Sequence, residues 1–192
     1  MKYLGKPAGM WALFAGSFEK PLTVEFDLTA GQAKDVAARA KKKYREIIAK
    51  LPEFDKRDRF EMNIVNCAML AAFILCMPQR PDIKTLTDYY AAAMMTPTMK
   101  AFCRASGKKK FTPKDIEGMK ATAKLRAGDR NPYSWSMDFF EYEDGSGYEA
   151  RFTTCGICTL MQVLGLYDLT PALCHLCLLY TSPSPRDGLL SR

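Results

Sequence analysis

Histidine is almost absent from this chain: His175 is the only one in 192 residues. Any imidazole acid–base step must therefore pass through that residue, and a metal site built from several histidines is excluded. An uncharged run long enough for a bilayer is also missing. Residues 62–77 (MNIVNCAMLAAFILCM) carry no charge, but they fall short of the roughly 20 apolar residues a membrane helix needs and contain Asn63 and Asn66. They are read as a buried core helix. The first twenty residues lack the basic start, sustained apolar run and small-residue cleavage site of a signal peptide, so none is expected. No glycine-rich phosphate loop is present either; Asp144-Gly-Ser-Gly147 is a turn, since no helix follows it directly.

What the chain does contain suits one globular domain. Hydrophobic residues make up 48% and charged residues 26%, with a net charge of +7. The lysines cluster as Lys41–Lys43 and Lys108–Lys110, without the arginine and aromatic interleaving of a stacking platform. They are read as solvated surface, and nucleic acid is not an expected partner. Of the seven cysteines, Cys67, Cys76 and Cys103 lie in apolar helical stretches, where free cysteine behaves as a small hydrophobe. A reducing, cytoplasmic location is the expectation.

Helical patterning fills the first two-thirds. Residues 8–19 form a short amphipathic start whose Trp11, Phe14 and Phe18 are expected in the core. Thr29-Ala-Gly-Gln32 spells a capping box ahead of a long helix with Val36, Ala40, Tyr44, Ile47, Ile48 and Leu51 on one face, ended by Pro52. The apolar helix, from about residue 57 to 77, stops at Pro78 and Pro81. A further helix spans about 84–105, with Pro97 imposing a kink or a break. Met94, Met95 and Met99 around it are read as gap-fillers or pocket lining. Thr112-Pro113 starts another helix, to about Arg126. After Asn131-Pro132 the pattern alternates, and residues 135–142 and 148–154 are predicted to pair as a β-hairpin. A helix then begins at Cys155 and closes at Gly165, and Thr170-Pro171 is expected to cap a last short helix carrying Cys174 and His175. The predicted fold is α+β: a mainly helical N-terminal half packed with a small antiparallel hairpin, in a single domain.

Cys155-Gly-Ile-Cys158 and Cys174-His-Leu-Cys177, separated by fifteen residues, match a four-cysteine zinc template. Residues 1–176, however, resemble the L-2-amino-thiazoline-4-carboxylic acid hydrolase family. The resemblance is carried by Gly5-Lys-Pro-Ala-Gly-Met-Trp11, Asn63-Ile-Val-Asn-Cys-Ala-Met69, Asp129-Arg-Asn-Pro-Tyr-Ser-Trp135, residues 147–158 (GYEARFTTCGIC) and residues 165–174 (GLYDLTPALC). It is spread over that length, without one concentrated signature. It implies a hydrolase opening a small cyclic amidine, a reaction of cysteine metabolism, with a small-molecule substrate and Cys155 and Cys174 as the recurring pair. Relatives continue Cys-x-x-Asp, so Cys177 stands where an aspartate is expected. Residues 177–187 (CLLYTSPSPRD) resemble instead the conceptual translation of a transposase sequencing adaptor. Residues 177–192 are therefore expected to be a non-native tail on a truncated chain, which would make the zinc match an accident.

Four assignments for the remaining cysteines stay open. Cys155 and Cys158, at i and i+3 of a helix start where backbone amides favour a thiolate, suit a redox dithiol, two metal ligands, a nucleophile with an incidental neighbour, or two structural buried thiols. Hydrolysis of the amidine needs a nucleophile or activated water, a proton donor for the leaving nitrogen, and a cation for the carboxylate. Cys155 is the candidate for the first role, with Cys174 beside it; Glu149 or His175 would serve proton transfer. Arg151 or Arg130 would hold the carboxylate. The alternative is a non-hydrolytic module in which Cys155, Cys158 and Cys174 bind a divalent metal such as zinc, or a small cofactor.

Overall fold

A computed structural model describes residues 7–54 and 61–174. Eight α-helices, one two-stranded antiparallel sheet and a 3₁₀ turn are found among them: α1 Pro7–Glu19, α2 Leu22–Glu25, α3 Ala30–Lys50, α4 Glu61–Ile74, α5 Ile83–Met94, α6 Pro97–Gly107, α7 Pro113–Arg126, β1 Met137–Glu141, β2 Tyr148–Phe152, α8 Gly156–Val163 and the turn Tyr167–Leu169. The class is α+β, with helices dominating.

The core is organised around α4. Ile64, Val65 and every residue from Cys67 to Ile74 are buried, so this helix has almost no solvent face. Its uniform apolarity is what demands that: a helix hydrophobic all round is stable in water only when neighbours cover every side. α3 covers it through the stripe formed by Ala33, Val36, Ala37, Ala40, Tyr44, Ile47 and Ile48, while Lys41 and Lys42 stay exposed and Lys43 pairs with Glu46 at 2.8 Å. α1 and α8 pack on it as well. Trp11 of α1 stacks on Phe73 with ring centroids 5.5 Å apart, and Phe18 stacks on the same ring at 5.4 Å. These aromatics are core residues, as their spacing predicted. The apolar stretch 62–77 is a core helix in its described part, and among the described residues no helix is long and apolar enough to cross a membrane.

The local signals act as read. Thr29 accepts the Gln32 backbone N–H while the Gln32 side chain accepts the Thr29 N–H, a complete capping box at the start of α3. Leu51 is extended (φ −69°, ψ 143°), as the residue before Pro52 must be, and α3 ends there. At Pro97 the helix breaks rather than kinks: α5 closes at Met94, and Thr96 restarts the chain by accepting the Met99 N–H at 3.2 Å. Thr112 does the same for α7, accepting the Asp115 N–H. Cys67 and Cys76 are buried, whereas the side chain of Cys103 lies outside the described ones. The short helix α2 had no signal in the sequence pattern.

The chain does not follow the reading at Thr170. The 3₁₀ turn leads directly into helical residues 170–174, so Thr170 is already helical (φ −55°, ψ −35°) and its buried hydroxyl caps nothing among the described residues. The preceding turn has taken over the start that a Thr-Pro pair provides elsewhere.

One buried hydrogen bond joins α5 to α1. The Tyr89 hydroxyl donates to the Phe18 carbonyl at 2.9 Å, satisfying one of the carbonyls that a helix end leaves open. Tyr89→Phe is expected to lower unfolding free energy by roughly 1–3 kcal/mol, the cost of leaving a buried acceptor unpaired. Urea denaturation reads this directly, and an unchanged midpoint would show that the bond contributes nothing.

Candidate functional site

Cys155 owes its position to two fixings, one on each side. Upstream, the hairpin pairs Met137 with Phe152 and Glu141 with Tyr148. Beyond the ladder it is closed by Thr153 N–H to Ser136 C=O and Ser136 N–H to the Thr154 hydroxyl, both 2.8 Å. Downstream, α8 begins at Gly156, whose Cα presses on the backbone of Tyr133. A Cβ at 156 would lie 2.0 Å from the Tyr133 carbonyl oxygen and 2.9 Å from Ile64 Cδ1. The glycine of Cys155-Gly-Ile-Cys158 is thus a packing requirement: it lets the Tyr133 loop, the start of α8 and the core helix α4 meet without a side chain between them. At its other end α8 closes with Gly165 (φ 70°), with Gly165 N–H to Gln162 C=O and Leu166 N–H to Met161 C=O. That double bond pattern is a Schellman motif, with Leu166 buried behind it.

Cys155 is the N-cap residue of α8, extended at φ −133° and ψ 114°, with no capping bond from its own side chain. Cys158 is the third helical residue. The pair therefore occupies the two positions that Thr29 and Gln32 occupy in α3, where side chains touch at 2.9 Å. Here they hold sulfur instead of oxygen. Cys174, in the helical segment after the 3₁₀ turn, completes a group of three half-buried free thiols. Burial, the Cys155 sulfur beside it and Cys174 beyond push the Cys158 thiol up to about 11. Cys155 acts on the Cys158 thiol in the same direction as burial. Burial, and then Cys155, also raise the Cys174 thiol above its ordinary value.

The remaining predicted site residues divide. Glu149 and Arg151 stand on the solvent face of β2 and bind each other at 2.6 Å, with Arg151 also lying over the Phe140 ring at 5.1 Å. Arg130 is exposed in the loop between α7 and β1. That loop is built by successive side-chain turns: Asp129 accepts the Asn131 N–H and Asn131 accepts the Tyr133 N–H, each at 2.9 Å. It is anchored by the buried guanidinium of Arg126 on the Asp129 carboxylate. Partial burial opposes charge on Asp129, but the Asn131 N–H and Arg126 hold its carboxyl below the usual carboxylate range. The loop runs from Asp129 to the Tyr133 carbonyl on Gly156, so Arg130 lies within about 10 Å of chain from Tyr133. His175 and Cys177 lie outside the described residues. Among the described residues no three His, Cys, Asp or Glu side chains are arranged to hold a metal ion.

Sequence reasoning gives Asp129, Tyr133 and Gly156 only as parts of the stretches that carry the resemblance, with no role of their own, and Arg126 only as a helix end; a close backbone approach leaves no mark except the glycine itself. Comparison of the chain with protein-family models, curated proteins and solved structures gives no match.

Two outcomes follow. Gly156→Ala is expected to destabilise the fold by about 1–3 kcal/mol or more, as overpacking against backbone does; a melting temperature equal to the parent's would overturn the packing role. The raised Cys158 thiol keeps its proton in the folded chain after the unfolded chain, at about 9.0, has lost it. Its stability contribution is complete below pH 9 and is lost as pH climbs through about 11. Buried Tyr89, whose hydroxyl is also raised by burial, adds a loss of the same sign. Urea midpoints are expected to fall from pH 9 to 11, and Cys158→Ser to remove part of that fall; an identical fall in the variant excludes Cys158 as a cause.

Proposed function

We propose that the chain is a hydrolase of small cyclic amidines bearing a carboxylate, of the 2-amino-thiazoline-4-carboxylate kind, acting at a C–N bond. The observation that carries this is the cluster at the start of α8: Cys155 at the N-cap with no capping bond from its side chain, Cys158 at the third helical position beside it, and the Tyr133 end of the Arg130 loop packed against the intervening glycine. The resemblance in residues 1–176 supplies the substrate class.

In this reading the Cys155 thiolate is the nucleophile. The first-turn amides of α8 and the S–H of Cys158 stabilise its charge without consuming it. Attack on the amidine carbon forms the C–S bond and a tetrahedral intermediate. The ring C–N bond then breaks as its nitrogen takes a proton, and water displaces the Cys155 sulfur to give a carbamoyl-cysteine product. Cys158, a thiol that holds its proton at neutral pH, stands beside the reacting sulfur and is the nearest described donor for the leaving nitrogen. Arg130 holds the substrate carboxylate. Of the two arginines it suits this role better, because Arg151 is already engaged by Glu149 and Phe140. Cys174 stays a neutral thiol beside the pair, its own value raised by burial and then by Cys155.

The alternative, a metal- or cofactor-binding module, draws on the same three thiols. Among the described residues no three His, Cys, Asp or Glu side chains are arranged to hold a metal ion, and no step is routed through one.

Incubation with 2-amino-thiazoline-4-carboxylate, followed by chromatography of the ring-opened product, tests the proposal. The parent chain is expected to turn over, and Cys155→Ala to lose activity by about 10³-fold or more with an unchanged melting temperature. Arg130→Ala should raise KM more than it lowers kcat. Retained turnover in Cys155→Ala removes the nucleophile assignment, and an inactive parent chain removes the hydrolase reading.

A further inference from the structure

The geometry points to a modification site at the start of α8: a hydroperoxide converts Cys155 and Cys158 into an intramolecular disulfide, with Cys158 as the resolving thiol. The regulatory consequence, that oxidation switches the Cys155 sulfur off reversibly, rests on the hydrolase reading above; the disulfide itself does not.

Three features place the bond there. An N-cap residue and the third helical residue bring their side chains together, as the 2.9 Å contact between Thr29 and Gln32 shows in the same molecule. Residues three apart at a helix start also lie within the 4.4–6.8 Å range of Cα separations that a disulfide spans. Both sulfurs are half-buried and so within reach of a small oxidant, whereas Cys67 and Cys76 are sealed in the core. Cys155 makes no capping bond that oxidation would have to break.

The chemistry closes with a hydroperoxide as the only co-reactant. The Cys155 thiolate attacks one peroxide oxygen, the O–O bond breaks, and the departing oxygen takes a proton to leave as water or an alcohol. Cys155 is then a sulfenic acid. Cys158 gives up its proton as its sulfur attacks that of Cys155; the S–O bond breaks, hydroxide leaves with that proton as water, and the S–S bond forms. Two electrons have passed from two thiols to the peroxide, and an external dithiol returns them. Without Cys158 the sulfenic acid would persist and advance to the irreversible sulfinic acid.

The test uses the full chain, reduced and then given one equivalent of hydrogen peroxide, blocked with a maleimide and cut on the N-terminal side of aspartate. Cleavage at Asp144, Asp168 and Asp187 leaves Cys155 and Cys158 together on residues 144–167, and Cys174 with Cys177 on residues 168–186. The expected product is the 144–167 peptide about two mass units below its dithiol form, carrying neither maleimide, and restored by dithiothreitol. Cys158→Ser, given several equivalents of peroxide so that a second one can oxidise the sulfenic acid, should instead accumulate Cys155 sulfinic acid that dithiothreitol does not reverse. Two maleimides on the peroxide-treated parent peptide would overturn the proposal. So would a disulfide joining the two peptides, which would make Cys174 or Cys177 the resolving thiol, or full reversibility in Cys158→Ser. The mapping needs no turnover: a disulfide in an inactive chain leaves the site standing and the hydrolase reading fallen. Unchanged turnover in the disulfide form overturns the switch.

Discussion

Everything in this fold is arranged around the burial of α4. A helix with no polar stripe cannot rest against one partner; water must be excluded from its whole circumference. α3 supplies a long apolar face, α1 supplies Trp11 and Phe18 on either side of Phe73, and α8 closes a further flank. At roughly 25 cal/mol for each Å² of apolar surface removed from water, a helix buried from Cys67 to Ile74 is the largest single reason for these elements to associate.

That constraint also makes the site. α8 must lie close to α4 to complete the cover, and the Tyr133 loop must pass over its first residue. Only glycine fits between the Tyr133 carbonyl and Ile64. The close approach leaves Cys155 at the helix start with its sulfur uncommitted, Cys158 one turn on, and the Arg130 loop alongside. The thiols are thus held on the rim of the core, by backbone packing at Gly156 and by the side-chain turns of the 129–133 loop. The buried Arg126–Asp129 pair works to the same end from the other side, since it fixes the loop that carries Arg130.

The three thiols share one electrostatic condition. Burial first, and then the neighbouring sulfurs, raise the Cys158 and Cys174 thiols above their ordinary values. Nucleophilic and redox chemistry draw on the same property, because both need one charged sulfur and a protonated partner within reach.

Local sequence determined the elements wherever a residue acts on its own backbone. The Thr29–Gln32 box, Pro52, the Thr-Pro starts at 96 and 112, the turn at Asp144 and the glycine stop at 165 are legible because each works within a few residues. The apolar run in α4 likewise announced its burial, and the cysteine spacing announced a shared helix start. What the tertiary structure alone decided is where those pieces meet. It turned Gly156 from a spacer into a contact with the Tyr133 carbonyl, set the Tyr89 hydroxyl on the Phe18 carbonyl, and let a 3₁₀ turn displace the cap at Thr170. None of these could be read along the chain, since each depends on how segments distant in sequence or turns of the backbone meet in the packed fold.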